Sequence, residues 1–128
     1  MAGSFWRLTV RSDFSSSHAL RNYGGKCENP HGHNFFVEAV VEGDKLSEDT
    51  ELLADFSDLK KDLKVILDTL DHKDLNVTPP FDRINPSSEN LSRHIYKQLS
   101  PLVARHGVRL YSVTVSEKSA QSATYYES

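Results

Sequence analysis

The chain predicts an α+β fold, an antiparallel four-stranded sheet with two helices on one face, in the order strand, strand, helix, helix, strand, strand. Three observations carry this. Residues 5–17 and 33–42 alternate apolar and polar side chains with the period of a half-buried strand. Residues 55–70 and 87–99 then place their apolar positions at helical spacing, and residues 108–115 and 123–127 return to alternation.

In the first strand Trp6, Leu8, Val10, Phe14 and His18 share one parity, so His18 stands at the strand's end on its apolar face. The stretch Leu20–Pro30 holds Gly24-Gly25 and Pro30 and reads as an irregular loop. Phe35, Val37, Ala39 and Val41 form the buried row of the second strand, with Glu38 and Glu42 opposite. Asp55 caps a helix of roughly four turns. Its stripe is Phe56, Leu59, Leu63, Ile66, Leu67 and Leu70, with Lys60, Lys61, Asp62, Lys64 and Asp68 mostly outside it.

Thr78-Pro79-Pro80 breaks the chain into a loop, and Ser87 caps the second helix with Glu89 in its first turn. Leu91, Ile95 and Leu99 face inward there, and Gly107 ends the segment. A four-stranded sheet leaves two open edges, and pairing those edges between subunits predicts a homo-oligomer.

With 128 residues and no repeat or low-complexity tract, residues 1–128 read as one domain. There is no apolar run of membrane-spanning length and no signal-peptide pattern, so neither a membrane nor secretion is expected. The lone cysteine, Cys27, is read as a free thiol in a reducing cytoplasm. A net charge of −3 argues against a nucleic-acid surface. A small anion needs only a few local cations, and Arg21, Lys26, Lys73 and Arg83 lie near the motifs.

Those motifs begin with Cys27-Glu28-Asn29-Pro30-His31-Gly32-His33. On an extended chain His31 and His33 leave the same face, and Gly32 clears the other, where a backbone or ligand can approach. His18 is the candidate third imidazole. Three neutral imidazoles with no nearby carboxylate suit zinc and leave its fourth position open. Spacing alone does not separate this from histidines that merely flank a turn.

Asp71-His72 follows the first helix, where a carboxylate can orient an imidazole, although such a pair is also common on surfaces. Glu117 ends the third strand, where it can serve as a rim residue or hold a planar amidine-like group by paired hydrogen bonds. Ser88 and Glu89 sit at a helix start that offers N–H groups and a hydroxyl, though capping also accounts for them. His94 and His106 lie outside the motifs and read as helix-surface and helix-end residues.

Taken in order, several segments resemble the 6-pyruvoyltetrahydropterin synthase/6-carboxytetrahydropterin synthase family over nearly the whole chain. They are Phe14-Ser15-Ser16-Ser17-His18, Cys27-x-x-x-His31-Gly32-His33-Asn34, Ala54-Asp55-Phe56-x-x-Leu59-Lys60, Leu70-Asp71-His72-Lys73-Asp74-Leu75-Asn76, Pro86-x-x-Glu89-Asn90-Leu91 and Ser116-Glu117. The Cys-x-x-x-His-Gly-His spacing is similar to that of the bacterial 6-carboxy-5,6,7,8-tetrahydropterin synthases of queuosine biosynthesis, whereas the animal pyruvoyl-forming enzymes have a longer gap. Two departures stand out. Glu51-Leu52-Leu53-Ala54 occupies the place of a frequent glycine-methionine pair, and Lys118 follows the glutamate where threonine is frequent.

The resemblance implies a tunnelling (T-fold) domain in ring trimers stacked as a hexamer, with active sites at subunit interfaces. It implies Zn2+ on His18, His31 and His33, proton transfer by Cys27, Asp71 and His72, and substrate binding by Glu117, Ser88 and Glu89. The implied reaction converts 7,8-dihydroneopterin triphosphate to 6-carboxytetrahydropterin, acetaldehyde and triphosphate. Its neighbours are pyruvoyl-forming elimination without carbon–carbon cleavage and a pterin- or metal-binding paralogue without turnover. A zinc hydrolase lacks a carboxylate at a spacing that marks a water-activating base.

Overall fold

The structure is a computed structural model that describes residues 3–25 and 28–128. The expected order holds. β1 (Trp6–His18) and β2 (His31–Gly43) precede α1 (Phe56–Asp68) and α2 (Ser88–Ala104), and β3 (Arg109–Lys118) and β4 (Gln121–Tyr126) close the chain. A short 3-10 turn, Leu75–Val77, lies between the helices. The four strands form one antiparallel sheet in the order β1-β2-β3-β4.

Both helix starts are capped as expected. The Asp55 carboxylate accepts from the Ser57 N–H at 2.8 Å, and the Ser87 hydroxyl from the Asn90 N–H at 3.2 Å. Gly107 adopts φ +78, a left-handed conformation that a side chain would strain, and turns the chain from α2 into β3. The core lies between sheet and helices. Phe14, Phe35, Val37 and Val113 rise from the strands to meet Leu59, Leu63, Leu91, Ile95 and Leu99, all almost fully buried. Each such side chain contributes about 1.5–3 kcal/mol by leaving water.

Two stripe assignments differ from expectation. Phe56 is 48% exposed, because helical side chains lean toward the N-terminus and its ring stands at the first turn. Asp62 is buried instead, and its carboxylate is satisfied from the end of α2 by Arg105 at 2.9 Å and His106 at 2.8 Å. His106 therefore ties the two helices together. His94 is half-buried, its ring 5.2 Å from that of Phe81.

The third strand also departs from simple alternation. Val40 pairs with Ser112 but Val41 with Leu110, so Tyr111 is an extra residue in β3. This bulge lets Leu110, Val113 and Val115 all face the core. Among the described residues, no helix is long and apolar enough to cross a membrane.

Candidate metal centre

The antiparallel register places His18 directly opposite His31 and Ser16 opposite His33. All three imidazoles leave the sheet on its helix-covered face, continuing the row of Phe14 and Phe35. Their ring centroids are 4.6 Å apart for His18 and His31, 4.7 Å for His31 and His33, and 5.3 Å for His18 and His33. Phe35 lies beneath, 4.9 Å from the His18 ring. The expected trio is therefore assembled.

Each of two rings is turned by a backbone carbonyl. The His18 Nδ1–H donates to Pro86 O at 2.8 Å and the His31 Nδ1–H to Asn29 O at 2.7 Å, because a carbonyl can only accept. The Nε2 atoms are thereby left to carry lone pairs. Burial also holds the His18 imidazole below its ordinary pKa, against the opposing pull of Pro86 and Glu117.

The sequence predicts no carboxylate near the three histidines and gives Glu117 as a rim residue or pterin anchor. The Glu117 carboxylate instead lies among them, Oε1 at 3.3 Å from His18 Nε2 and Oε2 at 3.4 Å from His33 Nε2. β3 ends beside the start of β2, and Glu117 shares the inward parity of Val113 and Val115, which explains the placement. The four residues offer ligand atoms that all lie within 4.8 Å of one another. The His18 Nε2 is buried and makes no hydrogen bond, although Glu117 lies close to it. An orphaned, inward-aimed imidazole nitrogen in a group of this composition fits a divalent cation such as zinc.

The remaining expectations divide. Ser88, Glu89 and Glu117 line one cleft of about 310 Å³, with Tyr23 and Gln121 also on its walls. Asp71 and His72 are not brought into the histidine–glutamate group. They lie on the outer edge of β1, where Asp71 Oδ1 accepts from the Ser15 N–H at 2.8 Å and His72 donates its own N–H to Ser15 O at 2.6 Å.

Asp71 Oδ2 meets His72 Nδ1 at 2.9 Å, and the His72 side chain is 83% exposed. The Ser15 N–H, with His72 contributing, holds the Asp71 carboxyl below its usual range. His72 and His33 share an open depression with Gly32 and Lys73. A Cβ on Gly32 would meet nothing within 4 Å, so within this chain the glycine keeps the depression open without admitting a close neighbour. Cys27 and Lys26 lie outside the described residues.

Arg21 is no anion ligand here, because its guanidinium binds the carbonyls of Asn76, Phe81 and Ile84 at 3.1, 2.6 and 3.1 Å. Two asparagines have a clamping role that the sequence does not show. Asn76 pairs both ways with the backbone of Ala19, and Asn85 both ways with that of Arg21, at 2.8–3.0 Å. They bind the segment after His18 to the loop that carries Pro86. The Leu75-Asn76 and Asn85-Pro86 pairs were the only signal for them.

A four-stranded antiparallel sheet with two helices on one face, carrying a three-histidine group at one end, defines a T-fold domain with a candidate metal centre. The solved structure of Caenorhabditis elegans 6-pyruvoyl tetrahydropterin synthase superposes with a TM-score of 0.85 at 26% identity, covering 98% of this chain and 97% of that one. The chain belongs to the 6-pyruvoyl tetrahydropterin synthase family, whose model matches residues 7–128.

Members of this family are pterin-processing lyases. The 6-pyruvoyl tetrahydrobiopterin synthase of Dictyostelium discoideum is 36% identical over 130 residues, 92% of this chain and 93% of its own. The 6-carboxy-5,6,7,8-tetrahydropterin synthase of Haemophilus influenzae is 37% identical over 70 residues, 52% of this chain and 50% of its own.

Proposed function

We propose that this chain is a zinc-dependent 6-carboxy-5,6,7,8-tetrahydropterin synthase. It would convert 7,8-dihydroneopterin triphosphate and one water to 6-carboxytetrahydropterin, acetaldehyde and triphosphate. The observation that carries the reading is the convergence of His18, His31 and His33 around an unpartnered buried nitrogen beside the cleft holding Glu117 and Ser88. The Cys27-x-x-x-His31 spacing supports the carboxy-forming subtype.

His18, His31 and His33 would hold the ion. When bound, zinc supplies a Lewis acid that lowers the pKa of side-chain hydroxyls and so acidifies the adjacent C–H. The Glu117 carboxylate accepts from the pterin's amino and ring N–H groups and sets which carbon faces the histidines. Ser88 and Glu89, at the start of α2, border the same cleft. Cys27 as thiolate removes a proton, and His72, its Nδ1 held by Asp71, returns one through its free Nε2.

The 83% exposure of His72 suits donation to a neighbouring subunit's site. A hexamer, interfacial active sites and a cytoplasmic location belong to the same reading. Trp6 on β1 and Tyr126 on β4, both well exposed on the edge strands, are consistent with pairing between copies.

The similarity to the Dictyostelium synthase over most of the chain favours a second reading, 6-pyruvoyl formation with loss of triphosphate only. A binder without turnover has no need of Cys27, Asp71 and His72 together. Incubation with dihydroneopterin triphosphate, followed by mass analysis, tests all three. Acetaldehyde with 6-carboxytetrahydropterin is the expected result. A pyruvoyl product without acetaldehyde selects the second reading, and unreleased triphosphate rejects both.

A further inference from the structure

Pterin anchoring alone does not account for where Glu117 lies. The His18 ring gives its Nδ1 proton to Pro86, so its Nε2 presents a lone pair, without a hydrogen bond, to a carboxylate oxygen 3.3 Å away. Two lone pairs at that separation repel unless a cation stands between them. Ligands about 2.0–2.1 Å from a tetrahedral ion lie about 3.3–3.4 Å from one another. The contacts of Glu117 with His18 and His33, at 3.3 and 3.4 Å, have that edge length.

We infer that Glu117 is the fourth zinc ligand of the substrate-free protein, and that it exchanges the metal for the pterin's N–H groups when substrate enters. The inference deepens the proposed function and rests on its metal site. A zinc with four protein ligands is closed, whereas lyase chemistry needs an open corner. The exchange reconciles the two, because the group that recognises the pterin is the one that uncovers the metal.

Glu117 is placed to move. Its side chain is 20% exposed, it lines the cleft, and it falls in the stretch between Val115 and Lys118 where the β3–β4 register shifts. Such irregular stretches re-aim side chains and free them from the ladder.

Zinc affinity measured by chelator competition, with no pterin present, tests the resting ligand. Glu117→Gln keeps the size of the side chain but loses its charge, and should bind zinc about tenfold or more weakly. Equal zinc affinity in that variant overturns the inference and leaves Glu117 as an anchor only. The exchange is tested on the wild-type chain loaded with Co2+, so it depends on no variant.

Adding 7,8-dihydropterin, which lacks side-chain hydroxyls, should shift the visible cobalt absorption as the carboxylate leaves. An unchanged spectrum with bound dihydropterin, or the lack of dihydropterin binding, overturns the exchange. A wild-type chain that binds no zinc overturns this inference and the metal reading beneath it.

Discussion

The carbonyl of Pro86 fixes the His18 imidazole from 2.8 Å, although the two residues belong to different parts of the chain. That contact selects which nitrogen of the ring is free, and the proposed metal centre depends on the choice. Pro86 is held in turn by its neighbour. The Asn85 side chain makes both hydrogen bonds to the Arg21 backbone, and its own carbonyl accepts from Asn90 Nδ2 at 2.9 Å. Asn85→Ala removes the side-chain pair and should cost about 1–3 kcal/mol in urea denaturation. It should also weaken zinc binding, because the Pro86 carbonyl loses its support. Lower stability with unaltered zinc affinity would show that the loop matters to folding alone.

His31 differs from His18 in being partly exposed and held by a local contact to Asn29. Its removal should therefore disturb the fold little while deleting a proposed ligand. Elemental analysis of His31→Ala should find most of the zinc gone, with an unfolding midpoint close to that of the metal-free wild type. Full metal occupancy would refute the ligand assignment.

Much of this centre was legible because strand parity and a His-x-His pair act locally. Parity put His18, His31 and His33 on one face, and the caps at Asp55 and Ser87 followed from residue type. Parity failed where geometry was not local. The bulge at Tyr111 shifts which residues of β3 face inward, and no property of Tyr111 itself announces it. Asp62 looks like a surface charge until Arg105 and His106 arrive from the far end of α2. That a carboxylate, Glu117, lies among the histidines is hidden in the sequence because register between β2 and β3 is a long-range fact. The Asn76 and Asn85 clamps were hidden for the same reason.

Cys27 and the Asp71–His72 pair are assigned to proton movement and not to holding the ion. Cys27→Ala should keep its zinc yet lose most turnover, by about 10²-fold or more. Asp71→Asn should also keep zinc, while losing the carboxylate that orients His72. Its rate should fall at constant metal content. Unchanged turnover in either variant would remove that residue from the mechanism.

His94 offers a pH signature independent of the metal centre. Burial lowers its pKa from the ordinary imidazole value. The unfolded chain therefore binds a proton more readily than the folded one. Stability from this residue is complete above the unfolded value, near pH 6.5, and is lost as the pH falls through the lower folded value. The ring packs edge-on against Phe81, so a leucine can occupy its place without a buried polar atom. Urea midpoints taken from about pH 7.5 down to about pH 5 should fall more steeply for the wild type than for His94→Leu. Every other group is common to the two proteins, so the difference between the two curves belongs to His94. Parallel curves would mean that the folded protein carries a charged His94 without penalty.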